Sequence, residues 1–187
     1  MDSFYLYDQT KMTKTGFYIF EDLVPGSYYT EITVPVHNGP TLKNVNTNNS
    51  DSSDNDADMI NRRTDVVTLT SGEYNDTLDF GLIKLATIGD TVWYDIDRDG
   101  VQDIDEAGIS GIEIKLTMNG ENYTATTDEN GKYLFEDLYP GNYTVEIVSY
   151  DGYIITTTTN HRKELGQEEE YLLADFGLVK LGSIGDT

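Results

Sequence analysis

The chain of 187 residues repeats itself, and that repetition limits its fold more than any other feature. Gly16 to Ile32 reads GFYIFEDLVPGSYYTEI and Gly131 to Ile147 reads GKYLFEDLYPGNYTVEI, identical at eleven of seventeen positions. DFGLIKLATIGDT at 79–91 returns as DFGLVKLGSIGDT at 175–187, identical at ten of thirteen. The fold must therefore use a unit small enough to occur about twice. The first pair is offset by 115 residues (16 to 131) and the second by 96 (79 to 175), so the first copy carries about 19 additional residues between its blocks. They fall within HNGPTLKNVNTNNSDSSDNDADMINRRT. The expected division is a unit at 1–85 lacking its opening strand and loop, a complete unit at 86–181, and the start of a third at 182–187. On this reading the chain is a window on a longer tandem array.

Within the complete unit, Ile112, Ile114, Leu116 and Met118 alternate with polar residues, the period of a half-buried strand. Tyr133 with Phe135, and Tyr143 with Val145 and Ile147, repeat the pattern. DENG at 128–131 and YPGN at 139–142 supply the turns between such runs. No segment places apolar residues at the i, i+3, i+4, i+7 spacing of an amphipathic helix. The expected fold is all-β, with short strands closing an antiparallel β-sandwich in each unit. The recurring tyrosines are expected in the core and in cross-strand pairs.

Thirty-four acidic residues against twelve basic ones leave a net charge of -22 and a pI near 4.1. Such a surface repels phosphate backbones and anionic headgroups, so nucleic acid and direct membrane binding are excluded as expected partners, while divalent cations are attracted. The absence of cysteine removes disulfides, thiolate metal sites and cysteine nucleophiles.

Residues 95–106, DIDRDGVQDIDE, put acidic side chains in register for a hard cation. Calcium takes six to eight oxygens, and a twelve-residue loop supplies them from side chains at positions 1, 3, 5, 9 and 12 and a carbonyl at 7. Those positions are Asp95, Asp97, Asp99, Asp103 and Glu106, with the carbonyl of Val101, and Gly100 stands at the sharp turn of position 6. The flanks are strand-like, IGDTVWY before and GIEIKL after, and position 8 is the polar Gln102. The expectation is a lone EF-type Ca2+ loop joining the first two strands of a sandwich.

A second candidate metal set is Asp51, Asp54, Asp56 and Asp58, in NNSDSSDNDAD, where no glycine or bidentate Glu fixes the geometry. His37 and His161 lie in polar segments and are expected at the surface. Glu21/Asp22 and Glu136/Asp137 recur in the FED tripeptide, and as neighbours in a strand they are expected to face opposite ways, a structural use and not a catalytic carboxylate pair. No enzyme activity is expected.

IGDTVWYDIDRDGVQDIDEAGISGIEIKL, TTDENGKYLFEDLYPGNYTVEI and LADFGLVK together resemble the B-type repeats of the serine-aspartate-repeat surface adhesins of Gram-positive bacteria, an SdrD B-like or Cna-B-like family. The resemblance implies tandem immunoglobulin-like (Cna-B-type, prealbumin-like) β-sandwiches, set in series as a calcium-stabilised stalk between an adhesive head and a cell-wall anchor. It implies an extracellular, wall-anchored or secreted setting, neighbouring repeats as partners, and a host matrix protein or glycan bound through other domains. An adhesive module, or an accessory sandwich of a secreted carbohydrate-active enzyme, would use the same residues. Related modules form a Lys to Asn isopeptide bond, but the strand TIGDTVWYD has no lysine to supply it.

Overall fold

The computed structural model describes residues 8–43 and 54–185, and contains no helix among them. In chain order the strands begin with β1 (Gly26–Tyr28), β2 (Asn38–Pro40), β3 (Val67–Leu69), β4 (Leu82–Lys84) and β5 (Ala86–Tyr94). They continue with β6 (Glu113–Met118), β7 (Glu121–Thr126), β8 (Lys132–Leu138), β9 (Gly141–Ser149) and β10 (Tyr153–Ile155). Three more, β11 (Asn160–Leu165), β12 (Glu170–Tyr171) and β13 (Phe176–Lys180), complete the chain. Two compact units result, one from Met1–Ile32 with Leu42–Gly81, the other from Thr33–Thr41 with Leu82–Thr187.

The second unit is a β-sandwich. One sheet runs β10-β13-β5-β12, with β8 also paired to β5, and the other runs β11-β9-β6-β7. The alternation read from the sequence puts side chains where the sheets meet: Ile114 and Leu116 from β6, Tyr133 and Phe135 from β8, and Tyr143, Val145 and Ile147 from β9 are all buried. Ile88 and Val92 from β5 and Phe176 and Leu178 from β13 close the core from the other side. Each such aliphatic or aromatic side chain contributes about 1.5–3 kcal/mol on leaving water.

Pairing is antiparallel except at β5, which runs parallel to β13 (Phe176 beside Val92, Leu178 beside Tyr94) and to β12. The strands that open and close the complete repeat, β5 and β13, thus point the same way, so the repeat enters one end of the sandwich and leaves by the other. Two glycines hold β5 against the turn after β7. A Cβ on Gly108 would strike the Asn130 carbonyl, and Gly131, at φ 78°, has the Val92 carbonyl and the Gly108 backbone against it.

The expectation that Glu136 and Asp137 face opposite ways is corrected. Both are exposed, because Asp137 adopts a left-handed φ of 57° and breaks the alternation at the end of β8. Asp22, its counterpart in the first copy, does the same at 58°. His161 is also not a plain surface residue: it is half-buried, its Nε2 lies 2.8 Å from the Asp175 carbonyl, and its ring stands edge-on to Phe176.

In the first unit, β1 pairs antiparallel with β3. Tyr18 sits 6.1 Å from Phe20 and 5.6 Å from Phe80, ring centre to ring centre. Ile32 and Ala57 are its buried apolar residues among those described.

Candidate metal centre

The acidic loop leaves β5 at Tyr94 and returns the chain to β6 at Glu113, as read from its flanks. Its start is fastened to the sandwich: the Asp95 N–H donates to the Leu178 carbonyl of β13 at 3.0 Å, and the Tyr94 N–H to the Ala107 carbonyl at 2.9 Å. The Ile109 N–H then donates to the Val92 carbonyl at 2.8 Å, so both ends of the loop are clamped on β5.

Asp95, Asp97 and Asp99 each offer a carboxylate oxygen within 4.8 Å of the others. Asp95 is completely enclosed. Its Oδ2 accepts the Gly100 N–H at 3.0 Å, whereas its buried Oδ1 has no hydrogen-bond partner. A carboxylate oxygen held out of water without a donor is costly, by several kcal/mol when ionised, unless a cation faces it. Asp97 Oδ1 accepts the Asp99 N–H at 3.1 Å and Asp99 Oδ1 the Val101 N–H at 2.8 Å, which curls the loop with their other oxygens left over. Gly100 at φ 80° and Arg98 at φ 67° make the reversal.

Glu106, 8% exposed, spans the loop from its far end. Its Oε1 accepts the Ile96 N–H at 2.6 Å and its Oε2 the Asp103 N–H at 3.1 Å. Glu106 therefore holds the loop closed through its backbone, and Asp103 stands at the exposed rim. Lost hydration first, then the charges of Asp99, Asp97, Glu106 and Asp105, push the Asp103 carboxyl above the usual range. The Val101 side chain is exposed, so only its backbone carbonyl is a candidate ligand. The orphaned Asp95 oxygen, the three converging carboxylates and the all-oxygen donor set fit a hard divalent cation.

The second candidate set is spread differently. Asp51 lies outside the described residues. Asp58 Oδ1 is turned onto the Ile60 and Asn61 amides, at 2.9 and 3.0 Å, and those bonds lower its pKa. Asp56 Oδ2 accepts the Asp79 N–H at 2.6 Å. Both Asp54 oxygens are enclosed with no hydrogen-bond partner.

The sequence reading missed a half-buried carboxyl pair elsewhere on the sandwich. Asp90 on β5 and Asp175 just before β13 face each other, and Asp175 is pushed up to about 6, chiefly by burial and then by the Asp90 charge. The IGD and DFG motifs that hold them were visible as repeats, but their meeting depends on the parallel pairing of β5 with β13.

A β-sandwich unit entered by a strand that ends in a clamped acidic loop, in a chain that repeats its own motifs, defines a β-sandwich repeat module. The SdrD B-like domain model matches the chain twice, over residues 3–82 and 86–169, and the chain belongs to that family. Serine-aspartate repeat-containing protein D of Staphylococcus aureus (strain Newman) is 38% identical over 154 residues, 81% of this chain and 11% of that protein. Serine-aspartate repeat-containing protein F of Staphylococcus epidermidis is 37% identical over 151 residues, 76% of this chain and 8% of that protein. The chain thus spans about a tenth of the length of these relatives. Among solved structures, the GBS52 minor pilin of Streptococcus agalactiae aligns over 65% of this chain and 61% of its own, at 12% identity and a TM-score of 0.40.

Proposed function

We propose that the chain is a calcium-stabilised, non-enzymatic spacer of a bacterial surface adhesin, its units set in series as part of a stalk outside the cell. The enclosed, partnerless Asp95 Oδ1 amid Asp97 and Asp99 is the observation that carries this reading. Ca2+ at that point is held by Asp95, Asp97 and Asp99, with Asp103, Glu106 and the Val101 carbonyl completing the set. When bound, the ion supplies positive charge that relieves the repulsion among these groups and ties the loop to β5 and β13.

The strand order supports a mechanical role. Because β5 and β13 are parallel neighbours, tension entering at Ala86 and leaving at Lys180 pulls them past each other, loading the hydrogen bonds between them together. Millimolar external calcium against a Kd near 10 μM would add about 2.7 kcal/mol per site. That is a large share of the 5–15 kcal/mol typical of a domain. Neighbouring repeats are the direct partners, and a host matrix protein or glycan is reached through other domains. The recurring Glu21/Asp22 and Glu136/Asp137 are exposed, and Asp22 and Asp137 both take a left-handed backbone, a structural use. Asp54, enclosed and partnerless, supports a second ion in the first unit.

Calorimetric titration of the chelated chain with calcium tests the reading. The expected result is saturable binding that Asp99→Ala removes from the second unit and Asp54→Ala from the first. A flat titration contradicts it.

A further inference from the structure

The second unit does not start where the repeat starts. Thr33–Thr41, which contains β2, belongs to the first copy by sequence, yet it packs within the second unit. The correspondence is fixed from two sides: the 115-residue offset carries Asn38 to Tyr153, and the 96-residue offset carries Lys84 to Lys180. Asn38 pairs with Lys84, and Tyr153 pairs with Lys180. The β2-β4 pair is therefore the same closing strand pair as β10-β13, one repeat earlier.

The two closing pairs differ in what covers them. Gly39 and Pro40 on β2 are buried, while Ile154, at the position of Gly39, is 52% exposed. Tyr139 covers Gly39, and a Cβ on that glycine would run into the Tyr139 hydroxyl and ring. His37 Nδ1 lies 3.0 Å from Asp137 Oδ1, the carboxylate that the left-handed backbone carries out of the β8 alternation. The His37 carbonyl accepts the Leu85 N–H at 2.9 Å. Lys84 forms an ion pair with Glu168, and its carbonyl accepts the Glu168 N–H at 3.3 Å.

We propose that Asp137, Tyr139 and Glu168 form a socket with which a B-type repeat grips the closing strand pair of the repeat before it, and that the β10-β13 pair is the face gripped by a following B-type repeat. This rests on the reading of the units as a series. The β10-β13 end presents the surface such a grip needs. Val148, Ile154 and Leu181 are 47%, 52% and 55% exposed, and residues from Val148 to Tyr153 line a shallow cleft of about 360 Å³. Side-chain size makes the grip selective. Tyrosine fits over Gly39, whereas Ile154 fills the same place and requires a smaller gripping residue. The first copy has such a residue, Val24, at the Tyr139 position. Successive joints are then keyed by a small residue on one side and a large one on the other.

Timed trypsin cleavage of the whole chain in calcium, read after Lys84, tests the socket. Tyr139→Ala and Gly39→Val are each expected to speed that cut about tenfold, as the local open state becomes more populated. The double variant should be no faster than either alone, and Val24→Ala should leave the rate unchanged. Should those variants lower the melting of the second unit, His37→Ala with Glu168→Gln gives the same readout from exposed side chains. An unchanged rate after Lys84 in these variants overturns the proposal. Replacing residues 182–187 by a further copy of residues 86–181 tests the other face: protection of Lys180 is expected when that copy carries Tyr139→Val and not when it keeps Tyr139. Equal cleavage in both fusions overturns the keying. Calcium titration of the unaltered chain reads the stalk proposal separately, so the two can fail independently.

Discussion

The two units share local contacts and differ in what those contacts are buried by. Tyr18 and Phe20 meet at 6.1 Å and 77°, and their counterparts Tyr133 and Phe135 at 6.0 Å and 74°. The Tyr18 hydroxyl donates to the Leu78 carbonyl and the Tyr133 hydroxyl to the Ala174 carbonyl, the same bond in both copies. Tyr28 to Val24 and Tyr143 to Tyr139 repeat another, at 2.6 and 2.7 Å. Yet Tyr133 is 5% exposed and Tyr18 only half-buried, and among the described residues of the first unit the paired strands are β1 and β3, with no counterpart of β5. The aromatic motif arranges itself locally. The opening strand, with the acidic loop it delivers, turns that motif into a core.

The largest way to break the comparison is to empty the buried core of the second unit. Leu116→Ala should cost that unit about 2–5 kcal/mol, seen as a lower melting transition, with the first unit unaffected. Asp95→Ala comes next, at about 2–3 kcal/mol in calcium, the linkage energy of the lost ion. In chelator the loss should shrink or reverse, because the buried Oδ1 then faces no cation, although the Gly100 N–H bond to Oδ2 is lost as well. Tyr133→Phe leaves the Ala174 carbonyl without its donor and should cost about 1–2 kcal/mol. Tyr18→Phe, at a half-buried site, should cost less than about 1 kcal/mol. Denaturant melts of the single variants rank all four.

The smallest expected effect is on pH dependence. The raised carboxyl of Asp175 favours its protonated form in the fold, so its contribution is fully present below the ordinary value of 3.8 and is lost as pH rises towards about 6. In chelator the second unit should therefore gain about 1 kcal/mol or less on going from pH 7 to pH 5, after discounting for the solvent that reaches this half-buried group. Asp175→Asn should reduce that gain. With calcium present the trend is opposed, since affinity for a cation falls as protons compete for its oxygen donors.

Much of this contrast was legible in the residues. The period-2 runs around Ile114, Tyr133 and Val145 name the core because alternation is a local property of a strand. The acidic loop was legible for the same reason: its carboxylates lie within twelve consecutive residues, and those of Asp95, Asp97 and Asp99 converge as their spacing implies. What escaped is long-range or conformational. Parallel pairing of β5 with β13 joins residues about 84 apart, such as Val92 and Phe176, and no local pattern encodes it. The meeting of Asp90 with Asp175 follows from that pairing. The left-handed Asp22 and Asp137 carry a conformation that Asp tolerates but does not announce. The grouping of Thr33–Thr41 with the second unit rests on β2 pairing with β4 and on Tyr139 lying over Gly39, contacts between distant positions.

The central claim, that calcium at the 95–106 loop stiffens the second unit, is tested most directly by thermal melting of the chain in millimolar calcium and in chelator, with Asp99→Ala alongside. The account predicts that chelation lowers the melting and protease resistance of the second unit in the parent chain, and that Asp99→Ala in calcium behaves like the chelated parent. Identical melting in calcium and chelator would contradict it.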